Sequence, residues 1–163
     1  MNKINVLINK NTFWKKTETF HWRGAAFYNG NLLNGSSISR IAPIENVSEF
    51  ISFVGKLNGF FSVIQHDEGI LYAAVDRVRS IPLFYSIKDG DFYISDNANL
   101  IKEKIHSKEI DEIAAAEFLL TGYVTGRDTL YPDINQLQAG EALIFRSGHD
   151  GSRLKTIRYY QYR

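Results

Sequence analysis

The sequence predicts an α+β fold whose sheets are mainly antiparallel, and three observations lead to this class. Short runs of β-branched and aromatic residues are separated by Asn-Gly and Asp-Gly dipeptides, which favour hairpin turns. These runs follow one another as hairpins instead of alternating singly with helices, so antiparallel pairing is expected. A few intervening segments carry apolar residues at helical spacing, which is typical of amphipathic helices.

Length and composition indicate one globular domain over residues 1–163. Apolar residues make up 44% of the chain and aromatic residues 13%, which is typical of a globular protein and not of a disordered or transmembrane one. Nineteen basic against eighteen acidic side chains give a net charge of +1. This balance provides no strong attraction to nucleic acid or to an anionic membrane surface, so neither is expected as a partner.

The chain contains no cysteine. Disulfides, thiolate metal ligands and a cysteine nucleophile are therefore excluded within this sequence. The amino-terminal stretch is interrupted by Asn and Lys and lacks the apolar run of a secretory signal. No stretch approaches the about 20 apolar residues that cross a bilayer. A cytoplasmic protein is the expectation.

Two strands are predicted near the start of the chain. Alternating apolar residues predict a strand over residues 3–9, and a run rich in aromatic residues predicts a second strand over 17–28. Asn29-Gly30 follows directly as a tight turn, because both residue types tolerate positive φ.

The pattern changes twice after this turn. Residues 31–44 hold no clear period and are expected to be irregular. From 45 to 57 the apolar spacing becomes helical, and Asn58-Gly59 supplies the stop. Strand-like runs bounded by turn residues come next, and they cover residues 60–65, 70–75, 83–87 and 92–95.

Two helices and a closing strand pair complete the predicted elements. A short helix capped by Asp96 or Asn97 is predicted up to Ile105, and a second helix is predicted over 110–120. The last predicted elements are two paired strands, which cover residues 141–145 and 153–160, with a turn at 148–151.

Five motifs stand in a fixed order along the chain. They are a strand motif at 57–64 (LNGFFSVI), a loop and strand at 76–85 (DRVRSIPLFY), a strand end at 93–96 (YISD), a hairpin motif at 129–140 and the pair Tyr159-Tyr160. In this order they resemble the glutaminase domain of the asparagine synthetase family, over about residues 24–163. The resemblance implies a four-layer αββα sandwich of two mainly antiparallel sheets between helices, which is the fold of the amino-terminal-nucleophile (Ntn) hydrolases.

The nucleophile that the resemblance implies has no counterpart at the start of this chain. Members of the family attack the side-chain amide of glutamine with the thiolate of an amino-terminal cysteine, and the terminal amine acts as the base. Asn2 stands here instead, and its amide cannot act as the nucleophile. Thr12 could become terminal only if the preceding residues were removed, and no processing site precedes it. We therefore expect no glutamine hydrolysis and assign no catalytic residue.

Four residues correspond to a vestigial glutamine pocket. Asn29-Gly30 matches the family's Asn-Gly pair, whose side-chain amide and backbone N–H stabilise the oxyanion of the reaction. Because no nucleophile is present to form that oxyanion, a plain hairpin turn is the simpler interpretation. Asn58-Gly59 stands where the family has Asp-Gly, and the neutral amide loses the charged contact to the substrate ammonium group.

The loop that follows the predicted strand 70–75 carries a candidate interface. Asp76 and Arg77 are expected to pair and shape the turn, and Pro82 is expected to fix φ before the next strand. We expect part of the segment 76–85 to contact a partner protein. Arg23 is the nearest candidate for holding the substrate carboxylate, but a surface position at a strand end is the simpler interpretation.

The remaining candidate groups predict no metal or nucleotide site in this chain. The histidines are scattered without the spacing of a metal site, and they are His21, His66, His106 and His149. No glycine-rich phosphate loop or pyrophosphate loop occurs, so no cofactor is expected here. Trp14, Phe20 and Trp22 are predicted to pack together in the core.

Three functions stay open at this point. The first, which we prefer, is a glutaminase-like domain that has lost hydrolysis. It would serve as the structural partner of an asparagine-synthetase-like ATP-using domain or protein, and ATP and Mg²⁺ would bind in that partner. The second is an active amidotransferase with an unrecognised nucleophile. The third is a module that binds a peptide, sugar or amino acid on the same scaffold. A homodimer is a further option.

Overall fold

The computed structural model describes residues 2–67, 69–148 and 153–162. The strands, in chain order, are β1 (Ile4–Leu7), β2 (Lys15–Lys16), β3 (Phe20–Tyr28), β4 (Asn31–Leu33), β5 (Asn58–Asp67), β6 (Ile70–Val75), β7 (Phe84–Lys88), β8 (Asp91–Ser95), β9 (Asn135–Gln136), β10 (Glu141–Arg146) and β11 (Arg153–Arg158). The helices are α1 (Val47–Lys56), α2 (Ala98–Lys104) and α3 (Glu112–Thr121). None of these helices is long and apolar enough to cross a bilayer.

The strands form two sheets of unequal width. Among the residues that the structure describes, the large sheet has seven strands in the order β11-β10-β6-β5-β3-β2, with β4 also paired to β3, and the small sheet has the order β1-β8-β7-β9. Within the described residues β1 runs parallel to β8, and the other pairings are antiparallel. This topology confirms the predicted α+β class with mainly antiparallel sheets.

Helices and sheets stack in four layers. Helix α1 covers one face of the large sheet, which we call the outer face, through Phe50, Phe53 and Val54. The small sheet covers the opposite, inner face. Helix α2 packs on the far side of the small sheet through Ile101 and Ile105. The layers therefore follow the order α1, large sheet, small sheet, α2, which is the αββα arrangement expected from the sequence.

Strand alternation divides the apolar residues between the two faces of the large sheet. Trp22 of β3 and Phe61 of β5 point to the outer face, where their rings stack with centroids 5.4 Å apart. Phe145 of β10 points to the inner face and stacks on Phe92 of the small sheet, with centroids 4.3 Å apart. Both faces are buried in the middle of the sheet, so the central strands are apolar on both sides.

Helix α1 has a well-defined start. Asn46 is the N-cap, and its side chain accepts a hydrogen bond from the Glu49 backbone N–H at 3.0 Å. The Glu49 carboxylate in turn accepts from the Glu45 backbone N–H at 3.1 Å. The buried residues of α1 follow helical spacing, which confirms the helix predicted over 45–57 with slightly shorter bounds.

Asp96 anchors the segment between β1 and β3. Its side chain is 1% exposed and accepts hydrogen bonds from the Asn9 backbone N–H (2.9 Å), Thr12 Oγ1 (2.7 Å) and Trp14 Nε1 (2.9 Å). The Arg23 guanidinium lies 3.4 Å from the same carboxylate. One buried carboxylate therefore holds the leading segment against both sheets, because each of these donors would otherwise be desolvated without a partner.

Two predictions about this region are wrong. Trp14 does not join Phe20 and Trp22, because those two residues pack on the outer face while Trp14 packs against the core between the sheets. Arg23 does not lie at a strand end, because β3 begins earlier than this residue and continues well beyond it. The Arg23 side chain forms an ion pair with the buried Asp96.

Several element bounds also differ from prediction. The strand predicted over 17–28 begins only at Phe20, because a turn precedes it, in which the Thr17 backbone N–H donates to the Phe20 carbonyl at 2.8 Å. Residues 31–44 are not wholly irregular, because β4 returns along β3 and a 3-10 turn covers Ile38–Arg40. The predicted turn at 148–151 falls largely outside the described residues, and so does His149.

Replacement of Asp96 by alanine should destabilise the fold strongly. We expect Asp96→Ala to lower the free energy of unfolding by about 3 kcal/mol, because it leaves several buried donors and one guanidinium without their acceptor. Urea titration followed by circular dichroism measures this. The matched control is Asp133→Ala, whose partner Lys88 is 42% exposed and whose loss should cost less than about 1 kcal/mol. Equal losses in the two variants would contradict the anchoring role.

Candidate functional site

The β3–β4 hairpin carries Asn29 and Gly30 in its turn. Their φ angles are 49° and 80°, which is the combination of a type I′ turn. Tyr28 pairs with Asn31 directly across the turn. Asparagine and glycine tolerate the left-handed region better than other residues, so local conformation alone accounts for this dipeptide.

Strand β5 opens with Asn58 and Gly59 beside this hairpin. The register places Asn58 opposite Phe27 and Gly59 opposite Ala26. Since the hairpin turn follows Phe27 by two residues, the fold brings the four residues of the predicted glutamine pocket to one end of the large sheet.

Close packing between two strands explains the glycine at position 59 without reference to a ligand. Its φ is 155°, and a Cβ there would lie 2.4 Å from the Ala25 carbonyl oxygen and 2.6 Å from the Ala26 Cα. The close approach of β3 to β5 therefore requires glycine at this position. The same is true of Gly24, where a Cβ would lie 2.1 Å from the Phe60 carbonyl oxygen.

A cavity of about 540 Å³ with a mixed polar and apolar lining lies beside the hairpin turn. Its polar lining includes Asn29, Asn31, Ser37 and Arg40. Arg40 was not a candidate in the sequence, because it belongs to a segment without periodicity. The 3-10 turn places Arg40 in the lining of the same cavity as Asn29. The cavity has the size of a small-ligand site and offers one cation with several hydrogen-bonding groups.

Apolar side chains surround Asn58 on the inner face of the large sheet. Phe27, Leu32 and Phe60 are 56%, 52% and 65% exposed, and we call these three residues the uncovered patch. The register pairs Phe27 with both Leu32 and Asn58, so all of them lie on one face. The small sheet covers this face farther along but leaves the patch open. A patch of this kind is typical of a surface that another protein segment contacts.

Asp76 organises the loop next to this end of β5. Its carboxylate is fully buried and accepts hydrogen bonds from the backbone N–H groups of Phe61 (3.1 Å), Val78 (2.9 Å) and Ser80 (3.1 Å), as well as from the Ser80 hydroxyl. The Gly140 backbone N–H donates to the Asp76 carbonyl at 2.9 Å. The loop is therefore held rigidly by one carboxylate, with Val78 left 52% exposed.

The ion pair predicted between Asp76 and Arg77 is not formed. The Arg77 guanidinium lies over the Tyr160 ring at 4.4 Å, and its Nη2 donates to the Gly55 carbonyl at 3.4 Å. The reason is that backbone donors already occupy the buried Asp76 carboxylate. Pro82 lies in the loop just before β7, as predicted.

Tyr159 is hydrogen-bonded to the residue that precedes this loop. Its hydroxyl donates to the Val75 carbonyl at 2.6 Å. Burial raises the pKa of Tyr159 well above its ordinary value, and the negative charge of Asp76 raises it further, while Arg77 acts in the opposite direction. The phenol therefore stays neutral at physiological pH and acts as a structural donor, not as a proton-transfer group.

The surroundings of His21 shift its pKa from the ordinary value of a histidine. Burial lowers its pKa to about 4, and the positive charges of Lys16 and His66 lower it further. The rings of His21 and His66 lie 6.5 Å apart, and His21 Nδ1 is buried without a hydrogen-bond partner in the structure. The described residues contain no group of three or more side chains that could hold a metal ion.

Comparison with protein families gives one match over most of the chain. A family model described as a glutamine amidotransferase domain matches residues 48–160, which is more than two thirds of the sequence. No curated protein matches the sequence.

Two solved structures are similar to this chain. One is the glutamine phosphoribosylpyrophosphate amidotransferase from B. subtilis in complex with ADP and GMP, with 12% identity, a TM-score of 0.46, and coverage of 92% of this chain and 31% of that one. The other is described as the allosteric regulatory enzyme of purine biosynthesis, with 12% identity, a TM-score of 0.46, and coverage of 93% and 31%. This chain thus spans about a third of the length of either.

The depressed pKa of His21 should make the fold sensitive to acid. Between pH 6.5 and 4 the unfolded chain binds a proton at this histidine and the folded chain does not, so stability falls as the pH falls. We expect a loss of about 1–2 kcal/mol between pH 7 and pH 5 from this group. Urea titrations at both pH values should show that the free energy of unfolding falls less in His21→Gln than in the parent chain.

The matched control for this experiment is His106→Asn, which removes an exposed histidine at a positive φ that asparagine accepts. This variant should keep the pH dependence of the parent chain. An unchanged pH dependence in His21→Gln would show that other groups cause the acid sensitivity.

Proposed function

This chain belongs to the family of glutamine amidotransferase domains, and we propose that it is a member that has lost glutamine hydrolysis. In this proposal it serves an amide-forming system related to asparagine synthetase. An ATP-dependent synthetase domain or protein would carry out the chemistry and bind ATP and Mg²⁺. The chain would contribute packing or substrate shaping, and the amine would come from elsewhere.

The first support is the missing thiol. Hydrolysis of glutamine by this family depends on a cysteine thiolate as the attacking group, and the 163 residues contain none. An oxyanion hole has no purpose without the attack that creates the oxyanion, so the Asn29-Gly30 turn keeps its conformational role alone.

The observation that carries the proposal is the position of the segment leading into β1. Ser147 Oγ donates to the Asn2 carbonyl at 2.9 Å, and the Ser147 backbone N–H donates to the Gly69 carbonyl at 2.7 Å. Gly69 lies at the end of β5 opposite Asn58, and the ten residues of β5 span roughly 30 Å. Residue 2 is therefore held far from the turn and the strand start that correspond to the glutamine pocket.

The hydroxyl of Thr12 does not supply a substitute nucleophile at the pocket. It donates to Asp96 at 2.7 Å, and Asp96 contacts β3 at Arg23. Arg23 precedes Phe27, the partner of Asn58, by four residues, or roughly 13 Å along the strand. The Thr12 hydroxyl is thus fixed to a structural carboxylate away from the pocket residues.

The surroundings of Asn58 also favour a docking role over amino-acid binding. The neutral amide replaces the family's carboxylate, so the ionic contact to a substrate ammonium group is lost. The uncovered patch surrounds it with exposed aromatic and aliphatic side chains. Such a surface gains more from contact with a protein than from contact with a zwitterion.

Glutamine hydrolysis provides the direct test. We expect ammonia release from L-glutamine by the purified chain to equal the buffer blank, and a diazo-ketone analogue of glutamine to leave the intact mass unchanged, because no nucleophile attacks the amide. Release that is abolished by Asn29→Ala or by Thr12→Ala would instead establish an active amidotransferase with a different nucleophile.

A second candidate is a binding module on the same scaffold, and the cavity beside Asn29 favours it. The guanidinium of Arg40 and the amides that line this cavity could hold the carboxylate of an amino acid. When L-glutamine is added to the labelled chain and NMR spectra are recorded, backbone amide shifts that are centred on Asn29 and Arg40 and are lost in Arg40→Ala would support this candidate. Unchanged spectra would exclude glutamine as its ligand.

The partner is tested by co-purification from the native source. The tagged chain should recover a protein with a pyrophosphate-binding loop. Phe60→Asp or Val78→Asp should reduce this recovery at least tenfold, because each places a charge on an exposed apolar surface that the partner would bury. Leu154→Asp is the matched control, since Leu154 is 36% exposed on β11. Equal recovery with all variants, or recovery of no such protein, would argue against the proposed partner.

A further inference from the structure

We propose that this chain forms a symmetric dimer through the exposed face of α3, which consists of Ile113, Ala116, Leu119 and Leu120. This inference does not depend on the proposed function. It rests on the packing of α3, which lies outside the four layers of the fold.

Helix α3 has caps but almost no tertiary packing. Asp111 accepts from the Ala114 backbone N–H at 2.9 Å, and Gly122 ends the helix with a φ of 80°. Of its ten residues only Ala114 is buried. Isolated helices of this length are marginal in water, and a helix that is apolar on all sides is normally covered. The stability of α3 therefore calls for a contact beyond this chain's own fold.

The exposed residues form one continuous face. Ile113, Ala116 and Leu120 follow the i, i+3, i+7 spacing of a helix-packing stripe, and Leu119 extends it. Ile113, Leu119 and Leu120 are 83%, 84% and 86% exposed. Ala116 lies between the larger side chains and is also exposed, so a second helix could approach closely at this point.

Charge on this face favours a second copy in antiparallel orientation. The Glu117 carboxylate is already bound by Thr125, whose backbone N–H and hydroxyl donate to it at 3.1 and 2.6 Å. Glu112 lies at the amino-terminal end of the face. In an antiparallel pair the two copies of Glu112 would be separated by about the 15 Å length of the helix, which exceeds the Debye length of about 10 Å at 0.1 M salt. The opposed helix dipoles also attract in this orientation.

The available area matches that of a stable dimer. The large apolar residues of this face are Ile113, Leu119 and Leu120, and the exposed Ile110 and Tyr123 flank the helix. Together they present on the order of 700 Å², which is close to the area of about 800 Å² that one partner contributes to an interface of standard size. Two-fold dimers bury the same patch on both subunits, and a face centred on small and aliphatic residues is complementary to itself.

Sedimentation of the full chain over a concentration series tests the proposal. We expect a mass twice that of one chain, and we expect Leu120→Lys to raise the dimer dissociation constant at least a hundredfold, because it places two ammonium groups in the apolar interface. Phe13→Lys is the matched control, since Phe13 is 95% exposed in the segment between β1 and β2, and this variant should dimerise like the parent chain. A monomer at all concentrations, or a dimer that survives Leu120→Lys, would overturn the proposal.

Single-cysteine variants locate the interface independently, because the parent chain has no cysteine. Oxidation of Ala116→Cys should give a disulfide dimer, since a two-fold axis near this residue brings two Cα atoms within the about 7 Å that a disulfide allows. Phe13→Cys is equally free to react but should stay monomeric on a denaturing gel. Equal cross-linking of both variants, or none at residue 116, would rule out pairing through α3.

Discussion

The large sheet must bury both of its faces, and the rest of the structure follows from how it does so. Helix α1 covers the outer face with Phe50, Phe53 and Val54, and the small sheet covers the inner face. Among the described residues the small sheet has four strands and the large sheet seven, so coverage of the inner face is incomplete. The uncovered patch lies at the Asn58 end of β5, and the small sheet covers the same strand farther along, at Ile64.

Two buried aspartates hold the ends of this architecture together. Asp76 fixes the loop between β6 and β7 through backbone donors from β5 and from the loop itself. Asp96 fixes the segment between β1 and β3 through side chains and one backbone amide. Both carboxylates accept several hydrogen bonds, which compensates the cost of their burial. Neither is placed to act on a ligand at the Asn29-Gly30 turn.

Packing and backbone conformation account for three of the residues at the Asn58 end of the large sheet. Gly59 is required because β3 approaches β5 too closely for a Cβ. Asn29 and Gly30 are required by the positive φ angles of the hairpin. The geometry of the sheet and of the hairpin therefore accounts for these three residues without reference to a ligand.

The features that depend on local physics could be predicted from the amino-acid sequence. The Asn29-Gly30 turn, the helix around Val54 and the antiparallel hairpins follow from backbone preference and apolar periodicity, and the structure confirms each. The contacts between polar groups could not be predicted in this way. Arg77 lies over Tyr160 instead of pairing with Asp76, and Arg40 lines the cavity beside Asn29, because long-range strand pairing sets these contacts and no local pattern encodes them. The exposure of α3 could not be predicted from the sequence either, because periodicity indicates a helix but not what packs on it.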